Sequence, residues 1–173
     1  DNPLIFYEVE FDDTYDKGAV FSFDSTHLLL QWHDCDFSKQ KLVIIGFNPT
    51  TEDWINPSPY VTKAEKTAKY LGFGGIVLLN LFTEISADVT KLKLSKTPNF
   101  ESDADNVLSK ASNAADCIVL GWGGNGKHLG RNTEVLQLLN GQKDKLFVLG
   151  WTLNKEPMHL NKTPKNSELI KYE

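Results

Sequence analysis

Two asparagines close apolar runs in this chain. One stands in Gly46-Phe47-Asn48-Pro49-Thr50-Thr51, the other in Leu78-Leu79-Asn80-Leu81-Phe82-Thr83. A side-chain amide offers one acceptor and two donors, which suits reading the edge of a nucleobase. In the first run, glycine permits close backbone approach and proline fixes a turn, so Asn48 is held at a strand end. Asn48 either binds and orients a ligand or stabilises its own turn. Asn80, polar at the end of an apolar strand, needs a partner or a ligand, and its structural alternative is to tie two neighbouring loops together. A third strand ends in Gly121-Trp122-Gly123-Gly124-Asn125-Gly126-Lys127, a turn that could cradle a phosphate or clear space. Phe47 and Trp122 could stack on a flat base or pack in the core. His159, in Pro157-Met158-His159-Leu160, is either functional or an ordinary loop histidine.

Basic residues cluster just after the glycine turn, where Lys127, His128 and Arg131 could face phosphate or start a solvated helix. Lys91, Lys93 and Lys96 read as a solvated loop, with a nucleic-acid surface as the alternative. A net charge of −5 argues against a large general affinity for nucleic acid, and leaves room for a local basic face. Walker loops, paired His-Glu metal motifs, nucleophilic serine elbows and Cys/His zinc spacings are absent from the sequence. No metal and no cofactor is expected.

The elements that must position these residues follow from apolar patterning. From Lys41 onward, short unalternating runs (42–45, 76–80, 117–120 and 146–149) alternate with helical stretches at 64–71, 103–115 and 133–139. That pattern predicts an α/β, three-layer fold whose central sheet is four-stranded, mostly parallel and covered on both faces. Ligands of such sheets collect beyond the carboxyl ends of the strands. The first forty residues alternate aromatic and polar positions, as in Ile5-Phe6-Tyr7-Glu8-Val9 and Ala19-Val20-Phe21-Ser22-Phe23. They predict an N-terminal β-hairpin turning at Asp16-Lys17-Gly18, which 27–32 could extend. At 173 residues the chain is expected to form one domain, with residues 1–40 as a β extension and 41–160 as the core. No apolar run approaches the roughly 20 residues of a membrane helix, so no membrane partner is expected. No secretory pattern opens the sequence, which makes the cytoplasm the expected location. Cys35 and Cys117 lie in unrelated contexts and read as reduced thiols.

The run Lys41-Leu42-Val43-Ile44-Ile45-Gly46-Phe47-Asn48-Pro49 resembles the first motif of the uracil-DNA glycosylase superfamily, in the variant where Asn replaces the water-activating Asp. Gly75 to Asn80 is similar to its second strand, whose terminal Asn reads the base. The segment 117–123 resembles its third strand and glycine turn, and 147–149 followed by His159 its fourth strand and histidine loop. The pattern Asn48-Pro49-Thr50-Thr51-Glu52-Asp53, Asn80-Leu81-Phe82, Gly121-Trp122-Gly123 and Pro157-Met158-His159 is also similar to a family of short bacterial and phage proteins defined as a domain of unknown function. Glu156 and Leu160 depart from the usual Gly and Pro.

The resemblance implies a nucleobase, nucleotide or DNA in the strand-end crevice, held by Gly46, Phe47, Pro49, Asn80, Trp122, Gly123 and Arg131. It implies hydrolysis of an N-glycosidic bond with Asn48 orienting water, Asp53 or Glu52 supplying a carboxylate, and His159 stabilising the departing base. Two alternatives stand beside it: a non-catalytic module that binds a nucleobase in the same crevice, and a structural or interaction protein that retains only the fold.

Overall fold

The computed structural model describes residues 19–23, 26–33, 40–49, 59–82 and 102–173. Among these residues seven strands form one mixed sheet: β1 (Ala19–Phe23), β2 (Thr26–His33), β3 (Lys41–Gly46), β4 (Gly75–Asn80), β5 (Cys117–Leu120), β6 (Leu146–Val148) and β7 (Ile170–Lys171), in the order β1-β2-β4-β3-β5-β6-β7. The four central strands, β4-β3-β5-β6, run parallel. Antiparallel pairing adds β2 beside β4 and β7 beside β6. The fold is therefore α/β, and the parallel strands are framed on both sides by antiparallel ones.

Among the described residues, three α-helices lie in the crossovers that parallel strands require: α1 (Pro59–Tyr70) between β3 and β4, α2 (Ser102–Ala114) between β4 and β5, and α3 (Arg131–Leu138) between β5 and β6. Period-two alternation divides the strand side chains between two cores. Leu42, Ile44, Ile76, Leu78 and Val119 face Val61, Ala64 and Ala68 of α1. Val43, Ile45, Val77, Leu79, Ile118 and Leu120 face Val107, Leu108 and Ala111 of α2 and Val135 of α3. Both faces are buried, which is why the strands carry unbroken apolar runs. Alanines at 64, 68, 104 and 111 let the helices approach the sheet closely.

Strands β1 and β2 pair as a hairpin, with Ala19 opposite Gln31 and Phe23 opposite Thr26, which is a different pairing from the predicted one across 16–18. Its second arm pairs Leu30 with Leu78 and His33 with Gly75, so β1 and β2 are part of the main sheet. The predicted arm at 5–11, the turn at 16–18 and the lysines at 91, 93 and 96 lie outside the described residues. Helix α1 begins at Pro59, earlier than the predicted Ala64, because proline fits the first helical position, where no intrahelical donor is needed. No helix among the described residues is long and apolar enough to cross a membrane.

From β3 the chain moves through α1 to β4 on one side, then crosses through α2 to β5 on the other. The direction of winding thus reverses between β3 and β5. A reversal of that kind opens a crevice at the carboxyl ends of the two strands, because the loops leaving them diverge to opposite faces.

Candidate functional site

A crevice of about 640 Å³ lies at that reversal. The volume is within the range of small-molecule sites. Phe47 and Asn48 reach it from the end of β3, Trp122 and Gly123 from the end of β5, and His159 from the segment that follows β6. Five residues singled out from the sequence are therefore brought together from three strand ends. Gly124 and Asn125 of the glycine turn line it too, and Thr152, Met158, Asn161 and Lys162, which sequence reasoning did not pick out, complete the wall. They come from irregular backbone and a three-residue 3-10 turn, neither long enough to show a period.

Each wall residue is fixed by its surroundings. Asn48 is half-buried, and its Nδ2 donates to the Pro49 carbonyl at 3.1 Å, a local bond from side chain to backbone. Pro49 is itself buried. Phe47 belongs to the core and meets Phe82 edge to face, with ring centroids 5.3 Å apart. Trp122 is only 1% exposed, and its indole Nε1 has no hydrogen-bond partner among the described residues. Gly126 passes directly beneath that ring: a Cβ there would stand 2.1 Å from Trp122 Cδ1. These two aromatic residues are core side chains that also present part of their surface to the crevice.

The histidine is positioned by its neighbours. Gly123 adopts φ +76°, a left-handed conformation that favours glycine, and a Cβ there would lie 3.1 Å from the His159 Cβ. The Gly123 amide donates to the Pro157 carbonyl at 2.8 Å, pinning the segment across the end of β5. Leu160, in the place where the resemblance leads one to expect Pro, is buried beneath α1 and anchors the next turn. His159 Nδ1 accepts from the Asn161 amide at 3.1 Å, and its ring tilts against Tyr60, centroids 5.5 Å apart. An accepting Nδ1 puts the proton on Nε2. Burial, with Lys162 and Lys63 adding to it, pushes the imidazole below its usual range, so it is neutral at neutral pH. The crevice thus holds an uncharged Nε2–H donor.

The structure takes other predicted residues elsewhere. Asn80 ends β4 opposite Gly46, and a Cβ on Gly46 would stand 2.8 Å from both Asn80 Oδ1 and Tyr60 Oη. Gly46 therefore lets these two side chains close over β3 beneath α1, and Asn80 is not among the residues lining the crevice. Arg131 is fully buried, donating from Nε to the Leu81 carbonyl at 2.8 Å and pairing with Asp105 at 2.7 Å. It ties α2 and α3 to the end of β4 and does not face the crevice. With Lys127 exposed and His128 tilted against Phe82, the expected basic cluster is dispersed. The Gly126 amide donates back to the Gly123 carbonyl, so two amides of the glycine turn serve internal bonds rather than a phosphate. Glu52 and Asp53 lie outside the described residues. Among the described residues no group of three or more His, Cys, Asp or Glu could hold a metal ion.

The sequence model of a family described as a protein of unknown function, DUF1643, matches residues 27–159. That span runs from the second residue of β2 through β6 and contains every residue of the crevice up to His159. No curated protein and no solved structure matches the chain.

Proposed function

We propose that this chain, which belongs to the DUF1643 family, recognises a nucleobase in the crevice and hydrolyses its N-glycosidic bond, as a uracil-DNA glycosylase-like protein acting on a damaged or modified base. The observation that carries this reading is the convergence of Asn48, Trp122, Gly123 and a neutral His159 on one crevice at the winding reversal of four parallel strands. In this reading the bond from the sugar C1′ to the base nitrogen breaks with its electron pair leaving on the base. The Nε2–H of His159 donates to the anion that forms, and a neutral donor stabilises it without surrendering the proton. Water adds to the oxocarbenium-like C1′ and loses a proton to the Asp53 carboxylate. Asn48 Oδ1 orients that water, its Nδ2 being engaged by the Pro49 carbonyl.

Incubation with DNA carrying uracil or a modified base should release free base, and Asn48→Ala and Asp53→Asn should each suppress the release. Base release that persists unchanged in Asn48→Ala sinks this mechanism.

One observation favours a second reading, a binding module without turnover: no carboxylate lines the crevice among the described residues. Calorimetry against a panel of nucleobases and nucleotides separates the two, because saturable binding with no release of base supports the module.

A further inference from the structure

Helix α1 presents two faces. Val61, Ala64 and Ala68 are buried against the sheet. Residues 59, 62, 63, 66 and 67, spaced by three and four, share another face. Across from this second face runs the chain that follows the 3-10 turn Leu160–Lys162, and the two enclose a cleft of about 550 Å³. Its charged lining is Lys63, Lys66 and Lys165, with Thr62, Thr67 and Asn166 beside them and no Asp or Glu. Nearby acids are already engaged: Glu65 pairs with Lys69, and Glu168 accepts from Tyr70. Lys63 Nζ donates across the cleft to the Thr163 carbonyl, which fixes one cation in place. Lys66 and Lys165 have no ion-pair partner among the described residues. Three like charges in one cleft of a chain with net charge −5 repel one another, and an anion between them would relieve that repulsion.

The cleft adjoins the crevice. Lys165, which lines the cleft, stands six positions after His159, which lines the crevice, and Lys162 between them lines the crevice as well. A fully extended chain of that length spans at most about 20 Å. Successive phosphates of one strand in a duplex lie about 3.4 Å apart along the axis, so both sites are within reach of a single short stretch.

We propose that the cleft between α1 and the Lys165 loop is a phosphate-binding site, which holds the backbone of the polynucleotide strand whose base enters the crevice. This rests on the reading of the crevice as a nucleobase site. Neither a basic motif nor a helix end suggests it in the sequence, because the cations come from positions about a hundred residues apart.

The test is fluorescence anisotropy of a short labelled single-stranded oligonucleotide over a range of salt, with the parent chain and the double variant Lys66→Gln/Lys165→Gln. Both lysines act from the surface, and Lys63, which holds Thr163, is left intact. Releasing two single-strand phosphates should make the slope of log K against log salt shallower by about 1.4, so that a tenfold drop in salt strengthens binding about 25-fold less in the variant. Free nucleobases, measured by calorimetry, should bind both proteins equally. If the base binds normally and the two slopes coincide, the cleft assignment is wrong. If the slopes differ and no base binds either protein, the shared strand is refuted through failure of the crevice reading. Competition by inorganic triphosphate at the oligonucleotide's own affinity overturns the strand in favour of a free polyphosphate.

Discussion

Two glycines of one turn, Gly124 and Gly126, should respond to alanine with opposite signs. Neither has positive φ, so backbone strain does not enter. A glycine replaced by alanine in helical geometry normally gains about 0.5–1 kcal/mol. At Gly124 nothing lies within 4 Å of the added Cβ, and that gain should appear. At Gly126 the same methyl would stand 2.1 Å from Trp122 Cδ1 and 2.7 Å from both Cγ and Nε1. A planar indole only 1% exposed cannot swing aside as a flexible side chain would. Overpacking a core costs about 1–3 kcal/mol, and a rigid ring belongs at the upper end of that range. Gly126→Ala should therefore lose about 2 kcal/mol, and melt about 4–8 °C lower in a chain of this size. Urea denaturation followed by circular dichroism gives the free energies. Affinity for a base should fall with Gly126→Ala and survive Gly124→Ala, because Trp122 forms part of the crevice wall. Equal stability of the two variants would refute the packing argument.

Arg131→Met should cost about 1–3 kcal/mol in urea denaturation by leaving the Leu81 carbonyl without its buried donor, while base affinity per folded molecule is retained. His159 titrates lower in the fold than its unfolded value of about 6.5, so its contribution to stability is complete above that pH and is lost as pH falls through the folded value. Denaturation midpoints should therefore drop on acidification below about pH 6.5, and His159→Asn should flatten that slope. The Cys117 thiol is pushed up to about 11, chiefly by burial. In a Cys35→Ser background, iodoacetamide should label it only after urea is added, and rapid labelling of the native protein would contradict its burial.

Most strands and the helix α2 are legible in the sequence because burial on both faces leaves runs such as Leu42 to Ile45 without polar interruption. Strand β7 is not, since both of its residues are exposed and two residues show no period. The crevice is half legible. Asn48 and Trp122 stand just past strand ends that a parallel sheet directs to one rim, whereas His159 comes from the irregular segment after β6. Asn80 also ends a strand, yet two-residue alternation places it with Ile76 and Leu78, on the side of the sheet that α1 covers.

By itself the sequence determines an α/β chain, the order of its central strands along the chain, and the residue types available at their carboxyl ends, because apolar period and glycine chemistry are local properties. Tertiary structure alone decides which of those ends meet. The winding reversal sets β3 beside β5, burial turns Arg131 from a surface cation into a core tie, and the packing of α1 against the Leu160 turn gathers Lys63, Lys66 and Lys165. These outcomes depend on contacts between residues far apart in the chain, which no local pattern encodes.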